Sequence, residues 1–296
     1  MRTFLDLPSV RGLIPDATSI TRLEGGSTKG VYRVTRAGGG TVLVYRWHPD
    51  ENFWPAATAI DAGPFGGMPT RDDFLSGHRS LSALGVRVPE IVALDGDLAV
   101  IEDVRGGKLE EHLDGDAAAV LLARLRATLL AMHSHRGVPD GRPEDQVLER
   151  GRRSLTEAAR RVPGLAARRA AVEDALTSRY AAIEPRAEAG LIHGELGPDH
   201  VMVDDDGQPV LIDIEGTMIF DAEWEHVFLE IRFGDLYGHL RTVPLDPARM
   251  RLYRLVMCLS LVAGPLLLVD GDFPRPEGMR DIAAWNLKRV LADVAG

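Results

Sequence analysis

Lysine is scarce in this chain. Of its 34 basic residues only Lys29, Lys108 and Lys288 are lysines, and the rest are arginines. Beside many Ala and Gly residues, that bias reads as GC-rich coding. It still has a use, because chemistry that demands an ammonium has only three places to look. Cysteine is nearly absent too. Cys258 stands alone, so no intrachain disulfide can form and nothing points to an oxidising compartment. The N-terminal MRTFLDLPSV lacks the apolar centre of a signal peptide. The most apolar run, LVMCLSLVAGPLLLV from Leu255 to Val269, is short for a membrane span and is interrupted by Gly264-Pro265. It is predicted to be a buried helix pair, with Cys258 a small core residue. An excess of basic charge is missing as well. The net charge of −10 argues against a general nucleic-acid binder. These absences lead to the expectation of a cytoplasmic protein with neither nucleic acid nor membrane as partner.

What is present is globular. The 296 residues are 45% hydrophobic and 26% charged, enough for one large domain or two lobes with a sizeable core. The chain changes character near residue 105. Before it, ITRLEGG, STKG, VYRVTR, the turn AGGG and TVLVYRWH predict antiparallel strands joined by glycine turns. A proline- and glycine-rich insertion, Pro49 to Pro69, has no clean periodicity, and its length suggests function or mobility. A helix is predicted from Thr70 or Arg71 to Leu84, burying Leu75, Leu81 and Leu84, with Gly85 as its stop. VRVPEIVALD and DLAVIEDV read as two further strands. After Lys108 the pattern is helical. Asp114 or Asp116 could cap a helix running to His135, and residues 145–183 form a second helical region.

A short stranded island interrupts the helices: GLIHGELGPDHVMVDDDGQPVLIDIEG. Leu191 and Ile192 enter it, Val201–Val203 form a strand, Asp204–Gly207 turn, and Val210–Ile212 return. His193, Glu195 and His200 then share one loop, with Asp213 just past the returning strand. Two carboxylates facing each other across such a hairpin suit phosphoryl transfer. One accepts or orients the proton of an attacking hydroxyl, and the other holds the Mg²⁺ that bridges phosphates.

In these motifs the chain resembles the aminoglycoside phosphotransferase-like enzymes, relatives of protein kinases. Their catalytic loop, H-G-D-x-x-x-x-N followed by a strand pair and I-D-W or D-F-G, is matched by HGELGPDH and LIDIE. Their later G-D-P-x-x-D-L segment is matched by FDAEWEHVF, with Asp221 and Glu225 at the two acids. The resemblance implies Glu195 as base or orienter, His193 as loop organiser, Asp213 as metal ligand and Asp221 as a brace. Glu195 replaces the family's Asp, one methylene shorter. His200 replaces an Asn that would offer Mg²⁺ an oxygen, so it stands either as a metal ligand or as a contact to phosphate or substrate.

The resemblance also places the nucleotide. The glycine hairpin Gly25, Gly26, Ser27, Thr28 and Lys29 would lay backbone N–H groups over phosphates. It is no P-loop, because no G-x-x-x-x-G-K-[ST] leads into a helix. Lys29 and Lys108 read as solvated, although Lys29 could touch phosphate. A kinase-like site wants a cation on the third strand, paired to an acid on the next helix. TVLVYRWH has no lysine, so Arg46 is the candidate phosphate clamp. Gly77 falls where the helix acid would be, leaving Asp73 as a conceivable partner. Glu102, Asp103 and Val104 would form the hinge that meets the base. Glu223, Glu225, Glu230 and Asp235 could hold a cationic acceptor; alternatively Trp224, Phe228, Phe233, Tyr237 and Trp285 could line a less charged pocket.

The expectation is a two-lobed α+β, protein-kinase-like fold. Residues 1–104 would be a small antiparallel β-rich nucleotide lobe. Residues 105–296 would be a larger, mostly helical lobe with the catalytic loop at 191–216. The implied enzyme moves the γ-phosphoryl group of ATP or GTP, with Mg²⁺, to a hydroxyl of a small molecule such as an aminoglycoside or nucleoside-type antibiotic, a resistance activity. A catalytically impaired nucleotide-binding protein is the alternative.

Overall fold

The computed structural model describes residues 2–55, 68–115 and 117–294. A one-turn helix, α1 (Leu7–Val10), precedes β1 (Ala17–Arg22), β2 (Gly30–Arg36) and β3 (Thr41–Arg46). Then come α2 (Arg71–Ala83), β4 (Ile91–Asp95) and β5 (Leu98–Glu102). Helices α3 (Ala118–Ser134), α4 (Pro143–Arg161), α5 (Pro163–Ala166) and α6 (Arg169–Ala181) follow, with the two-residue strand β6 (Arg136–Gly137) after α3. The predicted island holds β7 (Ala189–Ile192), β8 (Val201–Val203), β9 (Pro209–Leu211) and β10 (Met218–Phe220). Helices α7 (Ala222–Phe233), α8 (Pro247–Asp270) and α9 (Pro276–Asp293) complete the chain.

Two compact units emerge: residues 2–53, 68–128 and 196–217 form a β-rich unit, and the other described residues a helical unit. The β-rich unit holds an antiparallel sheet of order β1-β2-β3-β5-β4. Alternation assigns its faces. Tyr32, Val34, Val42, Val44, Leu98 and Val100 pack on one side with Val10, Ile14 and Ala17 of the N-terminal segment. Glycines turn the hairpins, Gly39 and Gly96 both at positive φ. The β8–β9 hairpin belongs to the same unit: Val203 N–H donates to Gly107 O and Leu211 N–H to Arg87 O, both at 2.9 Å.

Helix α2 begins as its sequence predicts. Thr70 and Asp73 form a reciprocal capping box. Its buried face differs from the expected leucine stripe and runs through Phe74, Gly77 and Leu81. The glycine is the reason: a Cβ at Gly77 would stand 2.3 Å from the Ile214 carbonyl oxygen, so the turn after β9 presses on the helix backbone there.

The helical unit packs α4, α6, α7, α8 and α9 around one core, beside the sheet β10-β7-β6. The expected helix pair at 255–269 is a single helix. Pro265 lies inside α8 and removes one ladder bond. Burial of Leu252, Val256, Leu259, Val262 and Leu267 against neighbouring helices outweighs that loss. Gly264 leaves room for Trp54, whose ring reaches within 3.1 Å of where a Cβ would be. α8 is long and apolar enough to cross a membrane, yet 78% of its most apolar window is buried. Cys258 is a free, buried core thiol, as expected. Of the Pro49–Pro69 insertion, residues 56–67 lie outside the described residues, as does the candidate cap Asp116.

Candidate functional site

In the β-rich unit the polar chemistry converges on Asp213. It follows β9 at φ +62°, ψ +42°, the one positive-φ non-glycine among the described residues. A left-handed residue costs backbone energy, and Asp tolerates it better than most. Its carboxylate is 45% exposed. Lys29 Nζ lies 2.5 Å from Asp213 Oδ1 and 2.5 Å from Glu215 Oε1. The Lys29 ammonium also sits 4.6 Å from the Tyr45 ring centroid. His200 Nε2 is 3.5 Å from Asp213 Oδ2. Backbone pairing sets that approach, because Ile212 N–H donates to His200 O at 3.0 Å.

Lys29, expected to be solvated, is buried at 4% exposure. Burial alone would lower its pKa, but Asp213 and Glu215 outweigh that and hold the ammonium well above its ordinary range. Burial pushes the Glu215 carboxyl upward, opposed by Lys29. Sequence reasoning gave Glu215 no role. Its place two residues after Asp213 in LIDIE was the only available signal.

The hairpin ahead of Lys29 is tightly closed. Gly25 has φ +125°, and a Cβ on Gly26 would fall 2.3 Å from the Lys29 carbonyl oxygen. Ser27 O accepts from Phe53 N–H at 2.8 Å, and Thr28 follows in the same loop. Arg46 is not brought to this cluster. It alternates with Val42 and Val44, donates to Thr3 O at 2.8 Å, and lies 3.5 Å from Glu51 and 3.6 Å from Asp97. Glu51 is a fully buried acid that also takes Arg22 and the Tyr32 hydroxyl. The conceivable Arg46–Asp73 pair is likewise not formed, since Asp73 serves the α2 cap. At the expected hinge, Glu102 binds Arg87 at 2.6 Å, and Asp103 binds Arg33 at 2.8 Å and the Thr41 hydroxyl at 2.6 Å. Val104 is buried, and the β3–β5 ladder ends at Glu102.

The helical unit carries the entry to the expected catalytic loop. His193 is fully buried; its backbone N–H donates to Glu225 Oε2 at 2.5 Å, and its Nδ1 accepts from Glu195 N–H at 3.4 Å. Glu195 itself is exposed. Arg150 on α4 interacts electrostatically with Glu195; burial brings its pKa down to about 10 and Glu195 opposes that fall. Arg150 Nε also donates to Ser260 Oγ at 3.0 Å.

The acids of FDAEWEHVF are engaged within the helical unit. Asp221 accepts from the Tyr253 hydroxyl at 2.5 Å, with Arg249 at 3.4 Å and Arg186 at 3.5 Å. Glu223 pairs with Arg186 at 2.9 Å and accepts from Asp246 N–H at 2.8 Å. Glu230 pairs with Arg254 at 2.6 Å. Glu223, Glu225 and Glu230 are therefore already engaged, and only Asp235 of the expected acidic group remains a solvated side chain. Of the aromatics expected as a possible lining, Trp224, Phe228 and Phe233 are buried, Tyr237 reaches His226, and Trp285 is exposed under Arg289.

The implied magnesium can be tested against these donors. Mg²⁺ takes oxygens, commonly one or two carboxylates completed by phosphates and water. Asp213 offers a half-exposed carboxylate of that kind. Among the described residues no group of three or more His, Cys, Asp or Glu could cage a metal. The donor set therefore fits an ion carried on phosphates and touched by Asp213. The imidazole of His200 fits it poorly.

The profile of the phosphotransferase enzyme family matches residues 19–229. Among solved structures, choline kinase LicA from Streptococcus pneumoniae is similar at TM-score 0.66 and 14% identity, covering 97% of this chain and 96% of that one. A thermostable mutant of aminoglycoside phosphotransferase APH(4)-Ia, solved in ternary complex with ADP and hygromycin B, matches at TM-score 0.63 and 16% identity over 97% of each chain. Spectinomycin phosphotransferase APH(9)-Ia, solved with ADP and spectinomycin, matches at 0.64 and 10% over 99% of each. At such identities the likeness establishes the kinase-like α+β fold that the sequence led us to expect. A search of curated proteins finds no match.

Proposed function

Because this chain belongs to the phosphotransferase enzyme family, we propose that it moves the γ-phosphoryl group of ATP or GTP to a hydroxyl of a small molecule. The observation that carries the reading is Asp213, held in a left-handed conformation between Lys29 and His200. A half-exposed carboxylate flanked by a buried ammonium and an imidazole suits triphosphate and its metal better than it suits a structural ion pair. Glu195 accepts or orients the proton of the acceptor hydroxyl. The acceptor oxygen forms the new bond to phosphorus as the bond to the diphosphate breaks. Magnesium, when bound, neutralises phosphate charge, and Asp213 is the residue that would hold it. His193 orients the loop. The backbone of Gly25–Lys29 lies over the phosphates, the main chain of Glu102–Val104 meets the base, and His200 contacts phosphate or acceptor. Protein-side catalysis is positioning and charge neutralisation.

The prior engagement of Glu223, Glu225 and Glu230 supports an acceptor of modest positive charge over a polycation. The buried state of α8 supports the reading of a cytoplasmic protein.

Thermal unfolding with Mg·ATP and Mg·GTP tests the nucleotide half. Binding to the folded state raises the Tm by mass action. No shift with either nucleotide at millimolar concentration overturns the reading. Nucleotide consumption over a panel of hydroxylated antibiotics and amino alcohols tests the transfer, with Asp213→Ala as control. The substitutions at Glu195 and His200 give the impaired nucleotide-binding protein its own outcome, which is a Tm shift with no turnover on any acceptor.

A further inference from the structure

We propose that Lys29 and Glu215 form the lysine–carboxylate pair that grips the nucleotide phosphates, built on the glycine hairpin and the turn after β9 instead of on a strand and the following helix. This rests on the phosphotransferase reading above.

Four observations converge on it. Lys29 is the one buried lysine of the three; Lys108 has a 45% exposed side chain and Lys288 is exposed. On β3, Arg46 is committed to Thr3, Glu51 and Asp97, whereas the neighbouring ring of Tyr45 has the Lys29 ammonium against it. The positive charge therefore stands over β3 although no basic residue of β3 supplies it.

The acid has moved as well. Gly77 leaves α2 without a side chain where the turn presses, and a Cβ there would collide with the Ile214 carbonyl oxygen at 2.3 Å. The same close approach brings the turn's own carboxylate forward. Glu215 is only 5% exposed at its side chain and lies 2.5 Å from Lys29 Nζ. The other acids of α2 are elsewhere: Asp73 closes the cap and Asp72 is 86% exposed.

The two carboxylates on Lys29 differ in burial, and that difference assigns their roles. Glu215 is shielded from water, so removing its cation would strand a buried charge. It is the fixed partner. Asp213 is half-exposed, and its contact with Lys29 can be loosened at little cost when an anion enters. An ammonium has three donors, so Lys29 can keep Glu215 and turn another N–H toward a phosphate oxygen. A lysine on the glycine hairpin also ties that hairpin to the phosphates, which a strand residue would not do.

The test pairs nucleotide binding with folding. Lys29→Met alone strands two acids and risks misfolding, so the informative protein is Lys29→Met/Glu215→Gln, which removes both charges. We expect it to fold with a cooperative melt, to lose the Mg·ATP-induced Tm shift and to bind Mg·ADP about ten- to a hundredfold more weakly by titration calorimetry. Lys29→Met/Tyr45→Lys, with Glu215 kept, is expected to recover part of the shift, because the new ammonium is placed where Lys29 ends. Wild-type nucleotide affinity in the folded double variant overturns the pair while leaving the phosphotransferase reading standing. No nucleotide shift in the wild-type protein overturns both.

Discussion

Glu225, the fourth residue of α7, accepts the backbone N–H of His193 at 2.5 Å, and both residues are fully buried. A helix carboxylate thus fixes the main chain two residues before Glu195. His193 Nδ1 in turn accepts the Glu195 N–H. The loop that presents the proposed base is held by two bonds in series, and the first comes from α7.

Glu225→Ala should therefore damage more than stability. It leaves a buried N–H without a partner, a loss of about 1–3 kcal/mol. We expect a Tm several degrees lower and a turnover loss larger than the Tm change alone explains at an assay temperature well below it. Glu225→Gln retains an acceptor oxygen and should keep most of the stability. Equal turnover in the two variants would show that the His193 bond does not position Glu195.

Gly77 gives a prediction that runs against helix propensity. On an exposed helix face, Gly→Ala is worth about 1 kcal/mol of added stability. Here the added methyl would meet the Ile214 carbonyl oxygen at 2.3 Å and the Thr217 Cβ at 3.3 Å. Gly77→Ala is expected to destabilise by about 1–3 kcal/mol in urea unfolding, the usual toll of overpacking. It should also weaken nucleotide binding, because the displaced turn carries Asp213 and Glu215. A stabilised Gly77→Ala protein would contradict the close approach.

Local rules made much of this legible in advance. Strand and turn signals around VYRVTR and TVLVYR marked β2 and β3, the helix start was placed at Thr70 or Arg71, and DDDG marked the β8–β9 turn. What escaped depended on contacts distant in sequence. Alternation put Val42, Val44 and Arg46 on one face but could not say which face meets the site. Glu215 looked like one more acid until the left-handed turn at Asp213 aimed both carboxylates at Lys29. Glu223 and Glu225 read as acids that could hold a cationic acceptor, whereas Arg186 and the His193 backbone engage them inside the helical unit. Pro265 carries a local signal to end a helix, and the packing of α8 overrides it.

Asp213 separates conformation from chemistry. Asn tolerates the left-handed region about as well as Asp, whereas a β-branched residue does not. Asp213→Asn should melt within a few degrees of wild type, since Lys29 keeps Glu215, and should lose phosphoryl transfer by two or more orders of magnitude. Asp213→Val should lose both. If Asp213→Asn transfers phosphate at the wild-type rate, Asp213 is not the group that holds the metal.

Acid stability depends on two histidines in the helical unit. His133 Nδ1 lies 2.8 Å and His226 Nε2 3.1 Å from the Thr242 hydroxyl, with the two rings 5.1 Å apart. Burial lowers the His133 pKa to about 3, helped by His226, and burial lowers that of His226 to about 4, helped by Arg241. In the unfolded chain each takes a proton near pH 6.5. Below that value the unfolded state binds more protons than the folded one, so stability must fall as the pH falls, until the folded-state values are reached. Above about pH 7.5 neither group contributes. Between pH 7.5 and 5.5 the pair should cost roughly 2–3 kcal/mol in urea-derived stability. His133→Gln and His226→Gln should each remove about half of that difference, whatever they do to stability at pH 7.5. A difference unchanged in both variants would mean that the two imidazoles take up protons in the folded protein at the same pH as in the unfolded chain.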